Sequence, residues 1–288
     1  MHLGWWLGVC VSVSVVRLAR CLGKGPIGVK MLDEGRALVV DSYVDALVIV
    51  DVVLGGVLGM RLLDSGSRGT GVMLTPARDA AFVTSSGGYF LYAADLSDAW
   101  DAWDWDPCFV NSQARPKSCR RRELRGVHPL SVVGVDIANV KMGAVSPDGA
   151  TLWLSDMHNE RLLAIGVADW RTNATVPSKV FVETPKFECF ALTVGLYKGR
   201  AALYVTGQGP RAGLRVYDPD NATRALKFWK DSQGGTSRDV ALFKREIEVS
   251  PAGDTLWGLC TEGLLRRPYY ARDDVLSRVC VSRAGGGT

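Results

Sequence analysis

Residues 143–167 read GAVSPDGATLWLSDMHNERLLAIGV, and their organisation sets the reading of the whole chain. A Ser-Pro-Asp-Gly turn at 146–149 separates two short apolar runs, the second of which, TLWLSD, closes on small polar residues. A further polar turn then leads into RLLAIGV. Runs this short, rich in Leu, Val and Trp and bounded by turn residues, predict strands. The pattern recurs as GVKMLDEGRALVVDSYVDALVIVDV at 28–52 and GVMLTPARDAAFVTSSGGYFLYAADL at 71–96. Looser copies are CFALTVGLYKGRAALYVTGQGPRAGLRVYDP at 189–219 and IEVSPAGDTLWGLCTEGLLRRPYY at 247–270.

The residue after the apolar core of each second strand aligns Asp41, Thr84, Asp156, Thr206 and Cys260, at spacings of 43, 72, 50 and 54. The long spacing reflects one insert. A further apolar segment follows each third strand, at 57–63, 131–140, 179–183, 225–229 and 275–281, so each unit is read as four strands. Four-stranded units repeated at this period predict an all-β fold, a β-propeller in which each sheet buries its faces on its neighbours. Five four-stranded blades are recognisable. VRLARCLGKGPIGV at 16–29 aligns without gaps to GMRLLDSGSRGTGV at 59–72, an outer strand and its link. The N-terminus therefore reads as a closing strand, or as part of a sixth blade in an incomplete six-bladed ring. We expect residues 1–288 to form a single propeller domain, with an irregular insert at 97–130 within blade 2.

Composition agrees with a folded chain. Hydrophobic residues make up 47% and charged residues 22% of 288, which excludes disordered and collagenous classes. The formal net charge of +4 is too small for a dedicated nucleic-acid surface unless it is concentrated locally, and no nucleic-acid partner is expected. Seven cysteines without a CxxC pair argue against a zinc knuckle, and only Cys108 and Cys119 share one loop in which a disulfide could close. Residues 1–25 allow two readings. The apolar stretch has signal-peptide length but lacks a preceding cation, and the alternation Val11-Ser12-Val13-Ser14-Val15 suits a strand. Sequons at Asn173 and Asn221 would be glycan acceptors in a secreted protein. No apolar run is long enough to predict a transmembrane helix.

SPDGATLWLSD (146–156) and SPAGDTLWGLC (250–260) resemble the blade motif SPDGxxLYVxD of NHL, SMP-30/gluconolactonase-like and YVTN-type propellers. That resemblance implies a propeller in which the Asp-Gly turn links the innermost strand to the second. The gluconolactonase branch implies a divalent metal in the central channel, held in part by an Asn or Asp directly before the Gly that opens a blade. Here that position holds Ile27, Thr70 and Met142, none of them a hard-cation ligand, so no metal or other cofactor is expected.

Function is sought on the loop rim. The turns between second and third strands lie on one rim of a propeller and contribute Asp41, Asp45, Ser85, Asp156, His158, Asn159, Glu160, Gln208, Arg211 and Glu262. Polar residues converging at a channel mouth on a rigid scaffold form a default binding site, although any solvated rim is polar. His2, His128 and His158 are the only histidines, and no GxSxG elbow, GxxxxGK[ST] or GxGxxG followed by a helix occurs. The insert joins DAWDAWDWDP (98–107) to ARPKSCRRRELR (114–125), whose arginines can pair with its own aspartates and stack on its tryptophans. The expected role is a non-catalytic scaffold for a protein or small-molecule ligand. Two alternatives stand beside it: a lactone or ester hydrolase of the SMP-30 or strictosidine-synthase-like group using Asp41, Asp156 and Glu262, and a secreted glycan-binding protein.

Overall fold

The computed structural model describes residues 26–42, 45–51, 57–64, 66–87, 89–97, 127–211, 213–230, 243–249, 255–260 and 278–283. The chain divides into two compact units, Met1–Val132 with Asp169–Val176, and Val133–Ala168 with Pro177–Thr288. The described residues form nineteen strands and no helix. The N-terminal closing strand, the body of the insert with Cys108 and Cys119, and Glu262 lie outside the described residues.

In the first unit, β1 (Pro26–Met31), β2 (Arg36–Asp41), β3 (Ala46–Asp51) and β4 (Val57–Leu62) form an antiparallel meander. A second meander follows, from β5 (Gly69–Leu74), β6 (Ala80–Ser85), β7 (Leu91–Asp95) and β8 (Val127–Val133). The middle strands are apolar on both faces because both faces are covered: ALVV in β2 and AAFV in β6 are buried throughout. The pairings Leu38↔Ile49 and Val40↔Leu47 put four residues on the face that packs against Val72, Ala81, Val83, Tyr92 and Ala94 of the second sheet. Ala37, Val39, Val48 and Val50 take the opposite face. β1 runs beside β5, so the two sheets stack through their first strands.

The second unit repeats the scheme. β9 (Val140–Val145), β10 (Thr151–Asp156), β11 (Arg161–Gly166) and β12 (Thr175–Glu183) form one meander, and β13 (Glu188–Tyr197), β14 (Arg200–Gln208), β15 (Gly213–Asp218) and β16 (Asn221–Lys230) form the next. Three strands of a fifth sheet are described: β17 (Phe243–Val249), β18 (Thr255–Cys260) and β19 (Arg278–Arg283). β13 lies beside both β9 and β17. Trp153 meets Phe181 edge-to-face at 6.0 Å, and Met142, Ala144, Leu162 and Ala164 pack with Phe187, Leu192, Leu203 and Val205.

The Ser-Pro-Asp-Gly turn joins β9 to β10, as the repeat requires. Ser146 Oγ donates to Asp148 Oδ1 (2.5 Å) and accepts from Thr151 N–H (2.8 Å), while Gly149 sits at φ +75°. The Ser146 hydroxyl, followed by Ala150 N–H, holds the Asp148 carboxyl below the ordinary aspartate range. In the second repeat Thr75 replaces Ser146: its Oγ1 donates to Asp79 Oδ1 (2.7 Å) and accepts from Ala80 N–H (3.1 Å). Arg78 takes the left-handed position, φ +56°, and its side chain donates to Leu32 O at 2.7 Å.

Several fourth-strand boundaries differ from expectation. β12 begins at Thr175 and β16 at Asn221, each four residues early. Arg278–Arg283, overlapping the segment expected as the fourth strand of the last repeat, pairs directly with β18. The fourth strand of the second repeat, expected at 131–140, starts at Val127 and ends at Val133, so 127–130 leave the insert and residues 134–139 become the link. The ladder Leu91↔Leu130, Ala93↔His128, Ala94↔Val127 decides this, because only that register buries Val127 and Leu130.

The excursion Asp169–Val176 belongs to the first unit. Ser131 N–H donates to Ala174 O (2.7 Å), and Trp170, 6% exposed, meets Phe82 edge-to-face at 5.9 Å. Arg171 lies over the Trp170 ring and bridges Asp79 (2.9 Å) and Asp95 (3.2 Å). Asp79 is held below the ordinary aspartate range first by the Thr75 hydroxyl and then by Arg171; burial opposes this. For Asp95 burial is the largest influence and raises the value, but Ser97 and Arg171 together outweigh it. Depressed carboxylates contribute stability that is present above the unfolded aspartate value, about 3.9, and is lost as pH falls through the lower folded values. With Arg171 and Asp79 each 42% exposed, Arg171→Ala should cost about 1 kcal/mol or less at neutral pH. In urea melts the difference from the parent chain should shrink below about pH 4, as the aspartates protonate. A difference independent of pH would assign the loss to the contact with Trp170 alone.

Candidate functional site

The expected rim is built around the links that carry the chain from one sheet to the next. In the first unit Asp45 immediately precedes β3 at φ +53°. Its carbonyl accepts from Leu63 N–H (2.7 Å), while Oδ2 accepts from Gly66 N–H (2.7 Å) and Oδ1 from Arg68 N–H (2.8 Å). The same link is gripped from the next sheet. Ser85, fully buried, sets its hydroxyl within donating reach of Ser67 O and Gly87 O, and Gly87 N–H donates to Ser67 O (2.9 Å). Position 87 must be glycine, since a Cβ there would stand 2.3 Å from Gly66 O.

The second unit repeats this device with different residues. Glu160 immediately precedes β11 at φ +48°, its carbonyl accepts from Thr184 N–H (2.6 Å), and Oε2 accepts from Lys186 N–H (2.8 Å). Arg211 N–H then reaches Lys186 O (3.0 Å) from the following sheet. Arg68 and Lys186 are equivalent link residues and share the left-handed conformation, at φ +49° and +63°. Neither residue type favours it, so the carboxylate bonds to their N–H groups offset a local cost of about 1–2 kcal/mol.

Asp156 anchors the link before its own sheet. It is fully buried; Oδ1 accepts from Ala138 N–H (3.3 Å) and Asn139 N–H (3.1 Å), and Oδ2 from Asn159 Nδ2 (2.7 Å) and Arg161 Nε (3.0 Å). Arg161 also donates to Asp136 O. The sequence placed Asp156, His158, Asn159 and Glu160 in one turn, and they do share it; Asp156 and Glu160, however, direct their oxygens into two different links.

The remaining candidates divide by exposure. Asp41 is fully buried as the last residue of β2, paired with Ala46. Gln208 Nε2 donates to Glu188 Oε2 (2.5 Å). His158, Asn159 and Arg211 are exposed, with His158 Nε2 3.5 Å from Asn139 Nδ2. Residues that sequence reading missed are the link positions themselves, Ser67, Arg68, Asn139 and Lys186, which carry no motif because it is their backbone that is held. Of the positions tested for a metal, Thr70 donates to Thr84 Oγ1 (3.1 Å) and Met142 packs in the apolar cluster. Among the described residues no group of three or more His, Cys, Asp or Glu side chains is placed to hold a metal ion. Both sequon asparagines are exposed, and Asn173 Oδ1 accepts from Thr175 N–H at 2.9 Å.

Cys189 is a thiol enclosed by the packing of the second unit. It is fully buried, with Sγ 3.4 Å from Thr184 Oγ1, and burial pushes its thiol up to about 12. Because the thiolate is the reactive form, Cys189 should resist iodoacetamide at pH 8 in the native protein and label on unfolding, read by peptide mass mapping. Modification at the rate of an exposed thiol would contradict this packing.

No family model matches the chain, and no curated protein matches it. Solved structures do. A chain of the crystal structure of a nidogen/laminin complex superposes with a TM-score of 0.54 at 10% identity, covering 82% of this chain and 72% of that one. The β-propeller domain of Cps50 (Swd1) from Myceliophteria thermophila gives 0.51 at 14% identity, covering 89% and 70%. A Kuenenia stuttgartiensis hydrazine synthase chain gives 0.54 at 14%, covering 82% and 62%. At such identities the likeness concerns fold alone. Together with the repeated antiparallel meanders stacked through their first strands, it identifies this chain as an all-β protein of the β-propeller fold.

Proposed function

We propose that the chain is a non-catalytic interaction scaffold, of the NHL or SMP-30-like kind in its repeats, that engages a protein or small-molecule ligand through its loop rim. The observation that carries this reading is the commitment of the rim carboxylates. Asp45, Asp156 and Glu160, which acid–base chemistry would draw on, spend their oxygens on link N–H groups and, for Asp156, on Arg161. Carboxylate oxygens already held by these donors are not free to reach a substrate. His158, Asn159 and Arg211 remain exposed on turns that these bonds hold rigid, and rigidly held loops are where binding scaffolds place their contacts. The propeller domain among the solved structures is compatible with such a role.

The test has two arms on the purified full chain. Captured ligands should be lost in the double variant His158→Ala, Arg211→Ala, whose melting profile should stay near that of the parent because both side chains are exposed. A panel of lactones and aryl esters, with and without added Ca²⁺ or Zn²⁺, should show no turnover above the uncatalysed rate. Turnover that disappears in Asp156→Asn would replace the scaffold by the hydrolase alternative.

A further inference from the structure

The net charge of this protein is not spread over it. Residues 188–230, the span of β13–β16, hold seven Lys or Arg against three Asp or Glu, an excess equal to the +4 of the whole chain. The rest of the chain sums to zero, and the first sheet, residues 26–62, is acidic, with three Lys or Arg against five Asp or Glu. Between Glu188 and Asp218 no carboxylate occurs, and none occurs along β16, whose sequence NATRALKFWK carries Arg224, Lys227 and Lys230.

β16 is also the outer strand of its sheet, paired on one side with β15 and bordering no other strand among the described residues. At 10 residues it exceeds β4, the 6-residue outer strand of the first sheet. Its register places Lys227 opposite Val216 and Lys230 opposite Gly213, so the two lysines fall at positions of opposite face. A bulge sets Leu226 out of the ladder, and its side chain is 49% exposed. The two aspartates, Asp218 and Asp220, lie at the turn where β16 begins and away from Lys227 and Lys230.

We infer that the outer edge of β16 is a docking strand for an extended acidic segment of a protein partner, which adds to the sheet by backbone pairing and sets carboxylates against Arg224, Lys227 and Lys230. The inference rests on the scaffold reading and deepens it by naming the partner's chemistry. A strand edge presents alternating N–H donors and C=O acceptors, which another polypeptide backbone satisfies together. A nucleic acid would answer the cations but oppose its phosphates to the edge carbonyls. A second copy of β16 would set like charges against each other.

The probe is a short acetylated peptide of repeating Glu-Glu-Val, titrated into the full chain at low and physiological salt. It should bind with a salt-dependent affinity, and the amides of 221–230 should gain protection in hydrogen exchange. The triple reversal Arg224→Glu, Lys227→Glu, Lys230→Glu should weaken binding by at least about tenfold. The same peptide N-methylated at alternate residues keeps its charge but cannot complete the ladder, and it should not bind; this arm needs no variant to fold. Equal binding of the methylated peptide, tighter binding of single-stranded oligo-dT or of anionic vesicles, or no binding of the acidic peptide would each overturn the inference. The two readings fail separately: hydrolytic turnover would remove the scaffold without touching the edge data, and loss of peptide binding in the His158 and Arg211 variant would move the site from the edge to the rim.

Discussion

Asp156→Ala should lower the unfolding free energy by about 3–5 kcal/mol, the cost of removing one partner from a buried, hydrogen-bonded ion pair. The Asp156 side chain is fully buried and that of Arg161 is 16% exposed, so the guanidinium left behind cannot recover its hydration in full. Two N–H groups, of Ala138 and Asn139, lose their acceptor in the same substitution, and the link between repeats is released with them. Asp156→Asn should be milder, at about 2 kcal/mol, since an amide oxygen still serves those two N–H groups while the amide nitrogen faces Asn159 and Arg161 as a third donor. Urea unfolding of the three proteins, compared at constant m, measures both. A loss under about 1 kcal/mol for Asp156→Ala would mean that the link is held by backbone pairing alone.

The second large effect concerns Phe187 and the glycine that admits it. Phe187 is fully buried, beneath the Arg215 guanidinium at 3.9 Å, and its ring occupies the space where Gly207 has no Cβ. Phe187→Ala should cost about 3–5 kcal/mol through the cavity left behind. Gly207→Ala should cost about 1–3 kcal/mol for the opposite reason, because its Cβ would lie 2.6 Å from Phe187 Cζ and 2.7 Å from Glu188 O. The two must therefore couple. Gly207→Ala placed in the Phe187→Ala background should cost measurably less than it does alone, by more than the ~0.5 kcal/mol within which independent sites add. Strict additivity in a double-mutant cycle would show that the contact with Glu188 O, not the ring, dictates glycine at this position.

Much of this architecture was readable because a strand buried on both faces leaves a dense local mark. ALVV in β2, AAFV in β6 and LWLS in β10 are short, apolar throughout and bounded by turn residues, and each proved to be the second strand of its sheet. The Ser-Pro-Asp-Gly turn was equally legible, since its bonds join residues within five positions of one another. The start of β8 was not, because Val127 and Leu130 follow the long insert and only the ladder to β7 draws them into a strand. The rim was legible as a list of polar turn residues, yet what each does was hidden. Asp45 and Glu160 differ in type and stand in turns of unlike sequence, but both brace a link more than twenty residues further on, at Gly66 and Lys186.

By itself, then, the amino-acid order determined that this protein is made of short strands in repeated fours and where most of them begin and end, because period, turn chemistry and apolar runs are local properties. Tertiary structure alone decided that the Asp156 carboxylate is an anchor, that Cys189 is buried, and that Arg171 belongs with Asp79 and Asp95. Each of those roles depends on which distant groups are brought within a few ångströms and on how much water is excluded there. A carboxylate on a solvated turn and one enclosed by four donors look the same in the sequence, and only the surroundings that folding builds distinguish them.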